Sequence, residues 1–335
     1  MKYSKPVSSI GERPLIALLS EIFKSTLSSE IMIGAGPDDC AVVDITDDEC
    51  LVVTTDMLHR QTDFPPQMSP WQIGWMSAAV NFSDVAAMGA RPIGILSALG
   101  FPADTDVGFV EKIGRGISDC AKMCGAPVIG GDIDTHEELT ITGTAIGRVK
   151  KSELLTRKGA QIGDRVCVTG HAGSAGTALR ALEDGIVVSK SLLRTLFEPK
   201  PRIWESQRLA ASGAVTAMTD TSDGLAMSLH DLAAAGSVGF RIYEDELPVQ
   251  DEVRSVAGNS ADLRELVLYT GGDFELLFTV PSDMVSVAQS VCNLSVIGDV
   301  VGQEEGVMIE RIDGVFDCVN RKGYEQLTNR YIKLI

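Results

Sequence analysis

The sequence predicts a mixed α/β protein in two domains, and three observations carry that prediction. Its 335 residues are 44% hydrophobic and 5% aromatic, an ordinary globular composition in a chain long enough for about two cores. Strand-length apolar runs alternate irregularly with longer helix-period runs, without the steady βαβ order of a doubly wound sheet. A basic, polar run at 148–158 (RVKKSELLTRK) divides the pattern, which sets the expected domains at residues 1–149 and 150–335.

The first half opens with an amphipathic helix at 12–24 (ERPLIALLSEIFK), and a short segment at 31–36 leads through Pro37 to Asp38 and Asp39. Strands follow at 40–45 (CAVVDI) and 50–55 (CLVVTT), with TDDE as the turn between them. Asp39 stands at the entrance of the first strand and Asp56 at the exit of the second, so a hairpin brings both carboxylates to one end. Pro65, Pro66 and Pro70 then break the chain before the helix around which the rest is organised, 71–89 (WQIGWMSAAVNFSDVAAMG). That helix is apolar almost all round. Its polar residues Ser77, Asn81 and Asp84 fall at i, i+4 and i+7, one stripe on a buried rod. A buried carboxylate needs a partner, and no nearby residue of the helix is basic, which points to a cation; capping of a neighbouring segment is the structural alternative. Gly89 and Pro92 end the helix. A strand at 93–99, a helix at 107–124, a strand at 126–129 running into Gly130, Gly131 and Asp132, and a strand at 139–149 complete this half.

The second half begins with a turn at Gly163 and Asp164, a strand at 165–169 and a glycine-rich segment at 170–176 (GHAGSAG) that opens a helix to Leu182. The glycine spacing does not match GxGxxG, so a tight turn approaching a ligand fits better than a dinucleotide fold; a phosphate cradle is the other reading. PKPR at 199–202 starts a further helix. A strand at 215–218 runs into TDTSDG at 219–224, a helix follows at 225–235, and strands are expected at 240–243, 274–280 and 296–297.

Formal net charge is −17, from 46 acidic and 29 basic residues, which argues against nucleic-acid or anionic-membrane partners. No window of 18 apolar residues occurs and residues 1–15 lack the apolar core of a signal peptide, so a soluble cytoplasmic protein is expected. The 7 cysteines are odd in number and scattered, against a disulfide framework, and the 4 histidines form no zinc motif. There is no nucleophile elbow, no P-loop and no protein-kinase motif set.

What remains is a set of acidic residues that terminate apolar elements: Asp39, Asp56, Asp84, Asp132, Asp220 and Asp223. Thr54, Thr55, Gly130, Gly131, Ser222 and Gly224 stand beside them, adding hydroxyl oxygens and close backbone approach. An all-oxygen set selects magnesium, calcium or manganese, and converging carboxylates need several such ions. A polyphosphate would complete the coordination, which means a nucleoside triphosphate. Turn and cap roles are the competing account of each aspartate taken singly.

Seven stretches in order, GPDDCAVV (36–43), TTDM (54–57), VNFSDVAAMGARP (80–92), GGD (130–132), LLTRKGAQIGD (154–164), DTSDGL (220–225) and GGDFELLFTV (271–280), resemble the thiamine-monophosphate kinase family. The resemblance covers nearly the whole chain. It implies the aminoimidazole ribonucleotide synthetase-like fold, with ATP bound without a P-loop between two α/β domains, and a homodimer whose N-terminal sheets pair into a barrel. It implies magnesium ligands at Asp39, Thr54, Thr55, Asp56, Asp84, Asp132, Asp220 and Asp223, with Asp84, Asp132 and Asp223 carrying catalysis. Gly131, Asp132, Arg157 and Ser222 would contact ATP, and the γ-phosphoryl group would pass to thiamine monophosphate. An acceptor that is already anionic needs no strong base, in keeping with a site poor in histidine. The substrate side departs from the family: Asp63 replaces a histidine, Gly272 a glutamate, and Arg321 an aromatic residue before Lys322, Gly323 and Tyr324. Two other readings stand beside this one, a relative acting on another small molecule and a nucleotide-binding protein without catalysis.

Overall fold

The computed structural model describes residues 6–326; the outer ends of the two expected domains, 1–5 and 327–335, lie outside them. The chain first forms α1 (Glu12–Phe23), β1 (Ile31–Ile33), β2 (Ala41–Asp44), β3 (Glu49–His59), α2 (Pro70–Ala87), β4 (Arg91–Phe101), α3 (Val107–Met123), β5 (Val128–Thr135) and β6 (Thr140–Lys150). Its strands make one mixed sheet in the order β1-β2-β3-β6-β4-β5, antiparallel except for the parallel pair β4–β5. β6 alternates strictly, with Ile141, Ala145 and Val149 buried against the helical layer and the intervening residues more open.

α2 starts where the sequence directs it. Ser69 and Gln72 form a reciprocal capping box, and Pro70 occupies the first helical position. The helix is buried on nearly every side, and α3 crosses it at glycine. A Cβ on Gly74 would collide with the Ile113 carbonyl, and one on Gly116 with the Trp71 carbonyl, so only glycine permits this approach. Gly89, at φ +71, turns the chain out of the helix into β4.

The second half holds β7 (Arg165–Thr169), α4 (Ser174–Asp184), α5 (Lys190–Phe197), α6 (Ile203–Ser212), β8 (Ala217–Asp220), α7 (Leu225–Gly236), β9 (Gly239–Tyr243), α8 (Asp251–Val256) and α9 (Ser260–Tyr269). It ends with β10 (Leu276–Val280), α10 (Val285–Val291), β11 (Leu294–Val301), β12 (Val307–Glu310) and β13 (Phe316–Cys318). The sheet order is β13-β12-β9-β11-β7-β10-β8. One apolar core runs from the first sheet through α2 to α6 and β10, and a second fills the space among β7, β9 and α7. No helix among the described residues is long and apolar enough to cross a membrane.

Several boundaries differ from expectation. β3 continues to His59, so Asp56 sits inside the strand rather than at its exit, because β6 pairs with it all the way to Thr140. β5 begins at Val128 and carries Gly130, Gly131 and Asp132 within its ladder to β4. Pro92 lies in β4 at a register shift, the kind of position at which a strand tolerates proline. Short β1, β12 and β13 and the brief helices α8 and α10 offer few residues for a period to register, and α5 is amphipathic but only 8 residues long.

Candidate active site

The polar stripe of α2 divides into structural and chemical parts. Ser77 Oγ donates to the Ile73 carbonyl at 2.7 Å, and Asn81 Nδ2 donates to the Ser77 carbonyl at 3.0 Å. Asn81 Oδ1 accepts from the Asp56 backbone at 3.1 Å, which ties α2 to β3. This fit requires Gly143, where a Cβ would strike the Asn81 amide. Asp84, the third member, accepts from Thr54 Oγ1 at 2.5 Å and otherwise faces carboxylates.

Those carboxylates arrive from three elements. Asp39 precedes β2, Asp84 is on α2 and Asp220 ends β8; one oxygen from each lies within 4.8 Å of the others. Asp220 is steadied by Ser83 Oγ at 2.5 Å and Ser222 Oγ at 2.8 Å. Asp39 Oδ1 accepts from Arg157 Nη2 at 2.5 Å and Thr219 Oγ1 at 3.1 Å. Its Oδ2 is buried and has no partner among the described residues. Burial pushes the Asp84 carboxyl well above the usual range, with Asp56 and Asp220 adding repulsion. Burial likewise raises Asp56 and Asp220 to about 6, and Asp38 and Asp223 to about 7. An orphaned buried oxygen among crowded carboxylates fits hard divalent cations, which would supply the charge these groups lack.

Two cavities meet at this cluster. The larger, about 1110 Å³, runs between α1 and the loop before β2, and is lined on its charged side by Arg13, Arg157, Lys158 and Arg321. The smaller, about 390 Å³, is mainly apolar, with Met76, Val80, Leu179, Leu196 and Phe274 in its walls. Thr55, Asp56, Asp84, Ser222 and Asp223 line both. Two ligands bound side by side would thus touch across acidic groups, an arrangement suited to passing a charged group between them.

Family models match both halves of the chain: AIR synthase related protein, N-terminal domain, over residues 37–149, and the corresponding C-terminal domain over residues 161–310. A thiamine-monophosphate kinase of Methanospirillum hungatei is 40% identical over 293 residues, covering 86% of this chain and 92% of its own length. The chain belongs to the thiamine-monophosphate kinase family. The Escherichia coli K12 relative of that name is 33% identical over 328 residues, 94% of this chain and 98% of that one. Among solved structures, AaThiL complexed with AMPPCP and TMP superposes with a TM-score of 0.83 at 28% identity, covering 97% of this chain and 100% of that one. The HypE-HypF complex shares the fold, with a TM-score of 0.73 at 22% identity over 91% of this chain and 99% of that one.

Most residues expected from the thiamine-monophosphate kinase motifs gather here. Asp39, Thr54, Asp84 and Asp220 form the cluster, Asp56, Ser222 and Asp223 flank it, and Arg157 is bonded to Asp39. Thr55 lines both cavities, but its Oγ1 donates to the Gly143 carbonyl at 2.7 Å, turned from Thr54 by strand alternation. Gly131 and Asp132 do not join the cluster: they lie on β5, the sheet's far edge, exposed along its whole length.

On the substrate side, Asp63 lines the smaller cavity, and its oxygens accept from His59 N and Thr62 Oγ1, both at 2.7 Å, from Gln326 Nε2 at 2.8 Å and from Tyr324 at 3.2 Å. Gly272 lines it too, at φ +96, a backbone state that disfavours the glutamate usual in the family. Its neighbour Asp273 accepts from the Gly173 and Ala175 N–H groups at 2.6 and 2.9 Å, so the glycine-rich segment's helix start is capped by the chain's own carboxylate. Arg321 lines the larger cavity, where it bonds Asp231 at 3.1 Å. Arg13 and Asp231 escaped sequence reasoning. Asp231 carries the kind of signal that exposes Asp84, a lone acidic residue on a mostly apolar helix; Arg13 carries none.

Proposed function

We propose that the chain transfers the γ-phosphoryl group of ATP to thiamine monophosphate, giving thiamine diphosphate and ADP. The observation that carries this reading is the carboxylate cluster Asp39, Asp84 and Asp220 at the junction of a large charged cleft and a small apolar pocket. Relatives covering most of the chain carry the name thiamine-monophosphate kinase, and AaThiL was captured with AMPPCP and TMP, an ATP analogue and an acceptor together.

The nucleotide belongs in the larger cleft, its phosphates near Arg157 and Ser222, and the thiamine rings belong against Met76, Val80 and Phe274. Magnesium held by Asp39, Asp84 and Asp220, with Asp56, Asp223, Thr54 and Thr55 around them, would neutralise the phosphates and draw them together. The protein's own part is placement. Ser83, Ser222, Thr54 and Thr219 fix the carboxylate orientations, and the apolar wall excludes water from the acceptor rings. Among the described residues no histidine lines either cavity, and the acceptor phosphate requires no base. Asp63 sets a negative charge at the pocket rim, suited to a cationic thiazolium.

The reading includes a homodimer. β5 is an exposed edge carrying Val128, Ile129 and Ile133, and pairing of two N-terminal sheets would cover it. Gly131 and Asp132 would then serve the site of a second copy. The reading also takes the protein to be cytoplasmic, in keeping with a biosynthetic reaction on soluble metabolites. ADP release measured with ATP, magnesium and thiamine monophosphate tests the reading, and it should vanish when any one is omitted. Turnover with a different acceptor alone would move the activity to another small molecule, and ATP binding without turnover would leave a non-catalytic protein.

A further inference from the structure

Asp231 has no part in the chemistry above, yet it organises the charged wall of the larger cleft. It is the only acidic residue of α7 and is buried. Three guanidinium groups from distant parts of the chain come to it. Arg13 Nη1, at the start of α1, lies 2.7 and 2.9 Å from its two oxygens, Arg321 Nη2 lies 3.1 Å from Oδ1, and Arg157 Nη1 lies 3.6 Å from Oδ2. All three arginines and Asp231 line the cleft.

One carboxylate cannot neutralise three guanidinium groups. Arg157 also holds Asp39, and Arg13 Nη2 also holds Asp223 at 3.0 Å. Both of those carboxylates belong to the acidic set around the cluster, and a cation that claimed them would compete with the arginines for their oxygens. Asp231 would then be the anchor that remains, with N–H donors of Arg13 and Arg157 released toward the cleft. Planar guanidinium forks match phosphate oxygens, and holding them in place beforehand avoids the cost of ordering long side chains on binding. The same contact fixes α1, which buries no side chain of its own and is tied at its start by Arg13 and by Glu12 accepting from the Gln326 backbone at 2.9 Å.

We infer that Asp231 is a positioning residue that sets Arg13, Arg157 and Arg321 as a three-armed clamp for the phosphate groups of the nucleotide. The inference rests on the ATP reading for the identity of its ligand, and two probes separate them: AMPPCP and inorganic tripolyphosphate, each titrated calorimetrically with magnesium present. Asp231→Asn should weaken both about tenfold or more, the scale of a lost charged hydrogen bond. The KM for ATP should rise in step, the KM for thiamine monophosphate should stay within about twofold, and Asp231→Glu should recover much of the loss. Arg13→Ala, on an exposed helix, should weaken both probes in the same direction, and serves if Asp231→Asn fails to fold. Wild-type affinity for both probes in folded Asp231→Asn, or in Arg13→Ala, would overturn the clamp. Wild type binding tripolyphosphate but not AMPPCP would sink the nucleotide reading and keep the clamp, and wild type binding neither would sink both.

Discussion

Asp84→Asn separates the cost of the acidic cluster from its use. Asparagine keeps the shape and still accepts from Thr54 Oγ1, so the change removes charge and little else. Asp39, Asp84 and Asp220 place oxygens within 4.8 Å of one another, and two unit charges at such a distance repel by about 3.5 kcal/mol at an effective dielectric near 20. Protonation relieves part of this in the metal-free protein, as the raised carboxyls of Asp84 and Asp220 require, leaving about 1–2 kcal/mol for the substitution to recover. At roughly 2–4 °C per kcal/mol, the metal-free variant should melt about 2–8 °C above wild type. Catalysis moves the other way. Losing a carboxylate that holds the bridging charge should cost about 3–4 kcal/mol in the transition state, a fall in kcat of roughly 100- to 1000-fold. Paired melts without metal and steady-state ADP release would measure both arms. A variant with near wild-type kcat and an unchanged melting temperature would refute the placement of Asp84 at the centre of the site.

The raised carboxyls make a second prediction. Asp56 and Asp220 move from 3.8 to about 6, and Asp38 and Asp223 to about 7, so the folded state holds these protons more tightly than the unfolded chain. Their contribution to stability is full below 3.8 and is lost as pH rises through 6 to 7, so the rise in melting temperature given by magnesium should grow from about pH 5.5 to about pH 8; a flat profile would count against a metal at these groups. Gly116→Ala forces a Cβ into the Trp71 carbonyl and should cost about 1–3 kcal/mol by chemical denaturation, with wild-type stability contradicting the α2–α3 crossing. Asp63→Ala removes the acceptor for Tyr324 and Gln326 and should weaken thiamine monophosphate binding by about 1–3 kcal/mol while sparing ATP; equal affinities by calorimetry would exclude Asp63 from acceptor binding. Mixing inactive Asp132→Asn with inactive Asp84→Asn should restore partial activity if Asp132 serves a second copy, whereas a mixture as inactive as its parts would reject that arrangement.

The elements that were legible in the sequence are those whose signals are local. α2 announced itself through Ser69, Pro70 and Gln72 at its start and Gly89 at its end, and through a polar stripe on an apolar rod. β6 declared itself by alternation. The sequence pattern of β3 stops at Thr55 because the charged Asp56 interrupts the apolar run, whereas the strand itself continues to His59, held by eleven cross-strand partners on β6. The strands β12 and β13 are four and three residues long, too short for a period to register.

The site divides along the same line. Asp39, Asp84 and Asp220 were legible because each ends or interrupts an apolar run, where an unpaired carboxylate is costly enough to demand a reason. Arg13 stands at the polar start of an amphipathic helix, where a charge needs no explanation, and Arg321 stands out only through the resemblance to the family; the fold alone brings both to Asp231. The argument that singled out Asp84 applies with equal force to Asp231, the sole acidic residue of α7. Their different surroundings follow from which neighbours each meets. Asp84 is packed among carboxylates and so calls for a cation from solution, while Asp231 is met by three guanidinium groups and so can hold them against the pull of a bound anion. A site that must bring two phosphorylated anions together needs both solutions, and α2 and α7 each supply one to the lining of the same cleft.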